Sequence, residues 1–256
     1  EPVQVISKNV HWFRLTELPK YDYQTTYSVK VMMQIGGVWL GYYGSACLVT
    51  TPNVPSVVTP FCGSTLPKIY STIYTKPASG VTGYRYRVTN GAEIQILDRT
   101  QHFFNLTQLP SYVYGVTYTV EISVKTTGDY SPYGTACSLS SPSVPSIAQC
   151  GQTLASGSTI SVPALSSVTN YAFEVTNLTT MTPPVVINRS AQWMPLSLIP
   201  GYSSSNEYSI RVALTSSGVQ SDYGLDCSIN ASAPKFANTS AESQFKVVGF
   251  PNPFTN

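Results

Sequence analysis

The sequence has little charge, few histidines and no long apolar run, and each shortage excludes a class of function. Charged residues make up 10% of the 256 and the net charge is +2, so nothing predicts binding to nucleic acid or to an anionic membrane surface. No stretch of about 18 apolar residues predicts a transmembrane helix. Phosphate-binding loops, calcium loops and triad patterns are also missing, so we expect neither an enzyme nor a cofactor.

The abundant residues favour short strands over helices. The chain has 18 tyrosines and 19 prolines, together with many valines and threonines. β-Branched and aromatic side chains fit a pleated sheet, and proline interrupts helices. Because 42% of the residues are apolar, the chain has enough material for packed cores. We therefore predict an all-β globular chain.

One unit occurs three times along the chain. Residues 102–137 align with residues 192–227 without a gap, which places Cys137 against Cys227, 90 positions later. Residues 11–47 repeat the pattern at a spacing of 91 that slips to 90 in the loop before Cys47. The aligned pairs are Phe103 with Trp193, Leu106 with Leu196, Pro110 with Pro200, Tyr112 with Tyr202, Tyr118 with Tyr208, Gly128 with Gly218, and Tyr133 with Tyr223.

The alignment divides the chain into residues 1–57, 58–144 and 145–235, named here the first, second and third repeats. The second and third repeats begin with Cys-Gly and end with Tyr-Gly-x-x-Cys. The first repeat lacks the Cys-Gly start and the strand that matches "GYRYRV", so we expect an incomplete sandwich and a natural polypeptide that continues upstream. Residues 236–256 are expected to form a linker and the start of another domain.

Within a repeat, apolar and polar residues alternate with the period of a half-buried strand. In residues 118–124 the even positions form an apolar face and the odd positions a polar face, and residues 84–88 show the same alternation. About seven such strands fit one repeat, which predicts an antiparallel β-sandwich. Proline-rich segments at 48–63 and 139–151 predict semi-rigid connections and an extended rod.

The repeats resemble the fibronectin type III or immunoglobulin-like repeats of secreted bacterial proteins. "GVTGYRYRV" looks like the third strand of that family, and "TYTVEISVKTTGDYSPYG" looks like the sixth strand and the turn into the seventh. The resemblance implies tandem seven-stranded sandwiches. It implies little about function, because such domains serve as spacers, binding modules and adhesins alike.

The cysteines recur with the repeats, which favours a structural role. Catalysis is disfavoured because the two histidines, His11 and His102, occupy equivalent positions where the third repeat has Gln192. Zinc is disfavoured because the shortest cysteine separations are 13 and 15 residues, without a neighbouring histidine. A disulfide or a buried thiol remains, and a recurring pair in a chain of secreted type favours the disulfide.

Two disulfide connectivities compete. Cys47–Cys62 and Cys137–Cys150 bonds would link successive repeats, whereas Cys62–Cys137 and Cys150–Cys227 bonds would close the second and third repeats internally. The first and seventh strands of a sandwich run in the same direction, so the two cysteines of one repeat lie at the same end of the sandwich. Cys137 and Cys150 would instead lie at opposite ends of a strand, too far apart for a disulfide. We therefore favour the internal pairs, which leave Cys47 unpaired.

Exposed aromatic rings are a second kind of candidate site, because they can stack on sugar rings. Most candidates recur in register, as core and corner tyrosines of a sandwich would. Trp39 is the exception, because it lies in a lengthened turn at residues 36–44 of the first repeat. The full set of candidates is Tyr21, Tyr23, Trp39, Tyr42, Tyr43, Tyr112, Tyr114, Tyr130 and Tyr133.

The end of the chain resembles the opening of the C-terminal sorting domain of type IX secretion substrates in Bacteroidota. The matching stretch is "VVGFPNPFTN", with Pro251, Asn252, Pro253 and Phe254 forming the turn. The resemblance implies partners in the type IX secretion machinery and its outer-membrane substrate-binding components. It also implies export to the cell surface or to the medium.

Three functions follow from these patterns. The favoured one is a non-catalytic stalk or adhesin region of a secreted or cell-surface protein. A dedicated module that binds a surface glycan, a host or environmental polymer, or a protein is the alternative, and Trp39 is its candidate ligand-stacking residue. A third hypothesis is that the repeats are accessory domains of an upstream secreted enzyme.

Overall fold

The computed structural model describes residues 2–58 and 60–233, and its regular structure there is almost entirely β. Three single-turn 3-10 helices, one in each repeat, are the only helices in this part of the chain; they span Leu15–Glu17, Leu106–Gln108 and Leu196–Leu198. None of these helices is long or apolar enough to cross a membrane. The expected all-β class is therefore confirmed.

The first repeat contains two small pairs of strands. Its strands are β1 (Thr26–Val29), β2 (Gln34–Ile35), β3 (Val38–Trp39) and β4 (Cys47–Thr50). β1 pairs antiparallel with β4, and β2 forms a hairpin with β3. The hairpin turns through Gly36 and Gly37, which both have positive φ and so suit glycine.

The second repeat builds a four-stranded sheet and a short pair that faces it. Its strands are β5 (Ile73–Tyr74), β6 (Gly83–Asn90), β7 (Glu93–Arg99), β8 (Phe103–Phe104), β9 (Thr117–Lys125) and β10 (Cys137–Ser140). The sheet has the order β10-β9-β6-β7, and β5 pairs with β8. This is the two-layer arrangement expected of a sandwich.

The third repeat has a similar two-layer arrangement with two additional short strands. Its strands are β11 (Thr153–Ala155), β12 (Thr159–Ser161), β13 (Val168–Asn177), β14 (Val185–Arg189), β15 (Trp193–Pro195), β16 (Glu207–Ser216), β17 (Val219–Gln220) and β18 (Cys227–Ser232). The main sheet runs β11-β18-β16-β13-β14, with β17 on β16, and β12 pairs with β15.

The beginning and the end of each complete repeat lie side by side and run parallel. In the third repeat β11 pairs parallel with β18, and in the second a parallel bridge joins Thr65 to Ser140. All other strand pairs within the described residues are antiparallel. This parallel neighbourhood is the geometry that the internal disulfide pairs require.

The predicted alternation produces the core. On β9 the side chains of Tyr118, Val120, Ile122 and Val124 are all buried, while Glu121 on the opposite face is partly exposed. The largest fully buried side chains are Tyr86, Tyr118, Tyr208, Phe104, Phe173, Leu66, Ile69, Ile73, Leu106, Ile122, Leu139 and Ile160. Burying such side chains contributes roughly 1.5–3 kcal/mol each, so the second and third repeats have substantial cores.

One tyrosine corner recurs in all three repeats. A backbone N–H five residues upstream donates to the tyrosine hydroxyl at 2.8 Å in each case. The pairs are Asp22 with Tyr27, Val113 with Tyr118, and Ser203 with Tyr208. The hydrogen bond satisfies a backbone N–H in the chain reversal that precedes the strand. These recurring tyrosines therefore have a structural role.

Candidate functional sites

The joint between the first and second repeats is built around the backbone of Tyr21. Its N–H donates to Thr127 Oγ1 at 3.0 Å, and its carbonyl accepts from Thr126 Oγ1. The Tyr21 hydroxyl donates to Gly80 O at 3.0 Å, and the Tyr23 hydroxyl donates to Ser79 O at 3.0 Å. Tyr21 is buried by these contacts, so the ring packs between the two repeats.

The joint between the second and third repeats has the same geometry. Tyr112 N–H donates to Ser217 Oγ at 2.9 Å, and Tyr112 O accepts from Ser216 Oγ at 2.9 Å. The hydroxyl of Tyr114 donates to Ser166 O at 2.7 Å, and burial raises its pKa to about 12. Tyr112 and Tyr114 stand 91 positions after Tyr21 and Tyr23, so one Tyr-x-Tyr motif forms both joints.

The linkers complete the joints by lying against the Tyr-Gly turn of the following repeat. A Cβ placed on Gly134 would meet Val54 O at 3.1 Å and Pro55 O at 3.2 Å. A Cβ on Gly224 would meet Val144 Cγ1 at 3.1 Å. Both glycines therefore make room for the Val-Pro step of the preceding linker. The corresponding Gly44 has only Val31 O nearby, at 3.6 Å.

A disulfide joins Cys62 to Cys137 in the second repeat, with 5.3 Å between their Cα atoms. This bond closes the repeat internally and rules out a Cys137–Cys150 bond between repeats. Cys47 is a free, exposed thiol.

Cys150 and Cys227 are neighbouring thiols in the third repeat. Cys227 is buried and Cys150 is exposed, and the two are not bonded. Burial, followed by a hydrogen bond with Cys150, raises the pKa of the Cys227 thiol to about 12. The two thiols are thus neighbours, and the disulfide between them stays a prediction.

The aromatic candidates separate into buried joint residues and exposed rings. Tyr21, Tyr112 and Tyr114 are buried in the joints, whereas Trp39 and its neighbours face solvent. The exposed fractions are 45% for Trp39, 68% for Tyr42 and 50% for Tyr43. Tyr23, Tyr130 and Tyr133 are intermediate.

Arginines stack on the tyrosines of the polar face of each complete repeat. The Arg85 guanidinium lies 3.9 Å from the centre of the Tyr130 ring, and Arg87 lies 4.1 Å from that of Tyr133. Arg211 covers Tyr223 in the same way at 4.9 Å. Each such contact contributes about 0.5–1 kcal/mol at an exposed site. The tyrosine spacing is visible in the sequence, but its stacking partners become visible only with the strand register.

The described part of the chain has no cluster of three or more residues that could hold a metal ion. The proposed sorting residues Pro251, Asn252, Pro253 and Phe254 lie outside the described residues. The linker and domain start expected at 236–256 lie outside them as well.

No family model and no curated protein matches the sequence. Among solved structures, the chain is similar to the FN1–FN3 domains of chicken CNTN1 at 13% identity, over 82% of this chain and 77% of that one, with a TM-score of 0.27. A two fibronectin type III domain segment from chicken tenascin shares 14% identity over 70% and 98%, with a TM-score of 0.33. Chicken interferon gamma receptor alpha chain shares 11% over 70% and 97%, with a TM-score of 0.34.

Proposed function

We propose that the chain is a non-catalytic repeat region that acts as a stalk or adhesin shaft of a secreted or cell-surface protein. The recurring joint is the observation that carries this proposal. Both junctions use the same Tyr-x-Tyr motif, and in both the first tyrosine bonds to two consecutive hydroxyl residues, threonines in one joint and serines in the other. In both, a Val-Pro step of the linker packs against a glycine of the following repeat. A chain that needed only a flexible tether would not require such joints, since a linker alone suffices.

The joints resist bending because their polar groups are paired and buried. Thr126 and Ser216 are buried, and each donates to the carbonyl of the docked tyrosine. Opening a joint leaves these groups without their partners until water replaces them, and it exposes the tyrosine ring. Successive repeats therefore hold a fixed relative orientation, which suits a shaft that presents another part of a protein at a distance.

The joint proposal is tested by filling the glycine positions. Gly134→Val and Gly224→Val should broaden the distances between spin labels on adjacent repeats, measured by pulsed electron paramagnetic resonance, because the new side chain displaces the linker. Gly44→Val is the matched control, since among the described residues only Val31 O, at 3.6 Å, lies near its Cβ. Unchanged distance distributions in both joint variants would contradict a stiff shaft.

Export by the type IX route is the second part of the proposal, and it rests on the sequence of the tail. Replacing Pro251, Asn252, Pro253 and Phe254 with alanine in a reporter fusion should trap the reporter in the periplasm of a type IX-competent host. The fusion carries the whole domain that these residues are expected to begin, and with the four residues intact the reporter should reach the cell surface or the medium. Surface delivery of both fusions would refute the sorting role without affecting the shaft proposal.

A binding module is the second candidate, and the exposed aromatic rings of the first repeat favour it. Trp39, Tyr42 and Tyr43 lie close in sequence and present rings to solvent, as surfaces that stack on sugars do. A surface glycan or a host or environmental polymer would be the ligand. Titration of polysaccharides should quench tryptophan fluorescence in the wild-type chain and not in Trp39→Ala. No response in either protein rejects this function.

A further inference from the structure

One surface position carries an exposed aromatic ring in all three repeats. The residues are Trp12, Phe103 and Trp193, which are 51%, 40% and 41% exposed. By contrast, the recurring leucines that lie three residues further along the complete repeats, Leu106 and Leu196, are both 0% exposed. Recurrence at the leucines therefore reflects packing, whereas the ring recurs without being packed. An aromatic ring kept in solvent at the same position of each repeat favours a contact surface over a core position.

A basic side chain precedes each ring by four residues. The pairs are Lys8 with Trp12, Arg99 with Phe103, and Arg189 with Trp193. The Arg189 guanidinium lies 5.3 Å from the centre of the Trp193 ring, and Lys8 Nζ lies 5.9 Å from the centre of the Trp12 ring. The repeats therefore share a combination of two groups, a flat apolar ring in solvent and a cation beside it in sequence.

In the first and second repeats an acceptor side chain occupies the basic residue. Lys8 forms a salt bridge with Glu17 at 2.9 Å, which neutralises its charge. Arg99 donates from Nη1 to Oε1 of Gln108, the residue aligned with Glu17, at 2.7 Å. The amide of Gln108 holds the guanidinium but leaves its charge in place, so the two repeats differ in how available the cation is.

In the third repeat the cation has no such acceptor. Leu198 occupies the position of Glu17 and Gln108, and it is itself 41% exposed. Within residues 2–58 and 60–233, Arg189 makes no side-chain hydrogen bond and no ion pair, and its Nε is a buried donor without a partner. A guanidinium that keeps its charge and its donors beside an exposed indole can bind an anionic group while the ring contacts the rest of the ligand.

The two groups together specify a carboxylated sugar as the ligand. An indole face suits the C–H face of a pyranose ring, and a guanidinium matches a carboxylate with two parallel N–H···O bonds. The net charge of +2 gives the chain no basic stripe for the backbone of a nucleic acid, so recognition depends on the local pair. A sugar that carries a carboxyl group on its ring offers both contacts at once.

We propose that Arg189 and Trp193 bind uronic-acid residues of an acidic polysaccharide, with a weaker copy of the site in the second repeat. The copy in the first repeat is the weakest, because a ligand there must displace the carboxylate of Glu17. The proposal rests on the adhesin role in the proposed function and gives it a ligand class. It does not depend on the joints, so the spin-label distances and the sugar binding can fail separately.

Tryptophan fluorescence tests the site in the third repeat. In a chain with Trp12→Phe and Trp39→Phe, titration with tetragalacturonate or with an alginate oligomer should change the Trp193 emission to saturation. Arg189→Gln should raise the half-saturating concentration by more than about fivefold, because it removes the donors and the charge that hold the carboxylate. The methyl ester of tetragalacturonate keeps the sugar rings without the charge, and it should bind more weakly by a similar factor.

Two further variants separate the site from the charge of the repeat as a whole. Arg211→Gln is the matched control, because it removes the same charge from an arginine that also lies over a ring but is paired with Glu174. It should leave the half-saturating concentration unchanged. Leu198→Glu should raise that concentration by more than about fivefold, because it places a competing carboxylate where Glu17 neutralises Lys8 in the first repeat.

Urea midpoints of the Trp193 transition separate lost binding from lost folding, and Leu198→Glu should leave the midpoint unchanged because Leu198 is exposed. Absence of a saturable response to both acidic sugars would overturn the proposal. Equal binding of the acid and its methyl ester would do so too, as would equal effects of Arg189→Gln and Arg211→Gln. Tighter binding of an oligothymidylate, lost in Arg189→Gln, would assign the site to single-stranded nucleic acid and also overturn it.

Discussion

The pair Cys150 and Cys227 gives the most quantitative test of the internal disulfide pattern. We expect Cys150→Ser to destabilise the oxidised third repeat, because the predicted bond closes a loop slightly longer than the 75-residue separation between Cys62 and Cys137. Loop-closure entropy for this length is about 15 cal/mol/K, or about 4.5 kcal/mol at room temperature. The substitution therefore removes a large part of the stability of a small domain.

Tryptophan fluorescence can isolate the third repeat. Trp12 and Trp39 lie in the first repeat, Trp193 lies in the third, and the second has none. With Trp12→Phe and Trp39→Phe as background, Trp193 alone reports unfolding in urea. Cys150→Ser should lower its midpoint by more than about 1 M, given slopes of about 1–3 kcal/mol/M. Cys62→Ser is the matched control, because it opens the other disulfide and should leave the Trp193 transition in place.

A Trp193 midpoint that Cys150→Ser leaves unchanged, while Cys62→Ser destabilises the second repeat, would refute a Cys150–Cys227 bond. Peptide mapping without reductant that finds both third-repeat thiols free in oxidised protein would refute it as well. Adding reductant to the wild-type protein should reproduce the effect of Cys150→Ser, because both remove the same loop constraint.

Tyr86→Phe should raise the free energy of unfolding by about 1 kcal/mol, because the buried hydroxyl has no hydrogen-bond partner in the described residues. Tyr118→Phe should lower it by about 1–2 kcal/mol, because that hydroxyl accepts from Val113 N; urea titrations that rank the two alike would contradict this. In reduced native protein, the exposed Cys47 should alkylate much faster than Cys227, because burial hinders access to Cys227 and raises its pKa to about 12. The unfolded state loses that proton first, so reduced protein should lose stability above about pH 9; equal alkylation rates for the two thiols would contradict the burial.

The sequence predicted the features that depend on the alternation of apolar and polar residues within a strand and on the recurrence of one unit along the chain. The apolar face of β9 and the strand at 84–88 follow directly from period two, and the alignment placed Cys62 and Cys137 in one repeat. The sequence did not predict the joints. The tyrosines at 21, 23, 112 and 114 recur like core residues, and nothing local distinguishes a ring buried within a repeat from one buried between two. That distinction depends on contacts more than 50 residues apart in the chain, such as Tyr114 to Ser166.

The ion pairs on the polar faces show a second limit of sequence reasoning. Arg87 with Glu121 and Glu174 with Arg211 occupy the same cross-strand position with the charges exchanged. An alignment of the repeats shows only arginine against glutamate and glutamate against arginine, which looks like a position without a charge requirement. The strand register shows that the requirement applies to the pair.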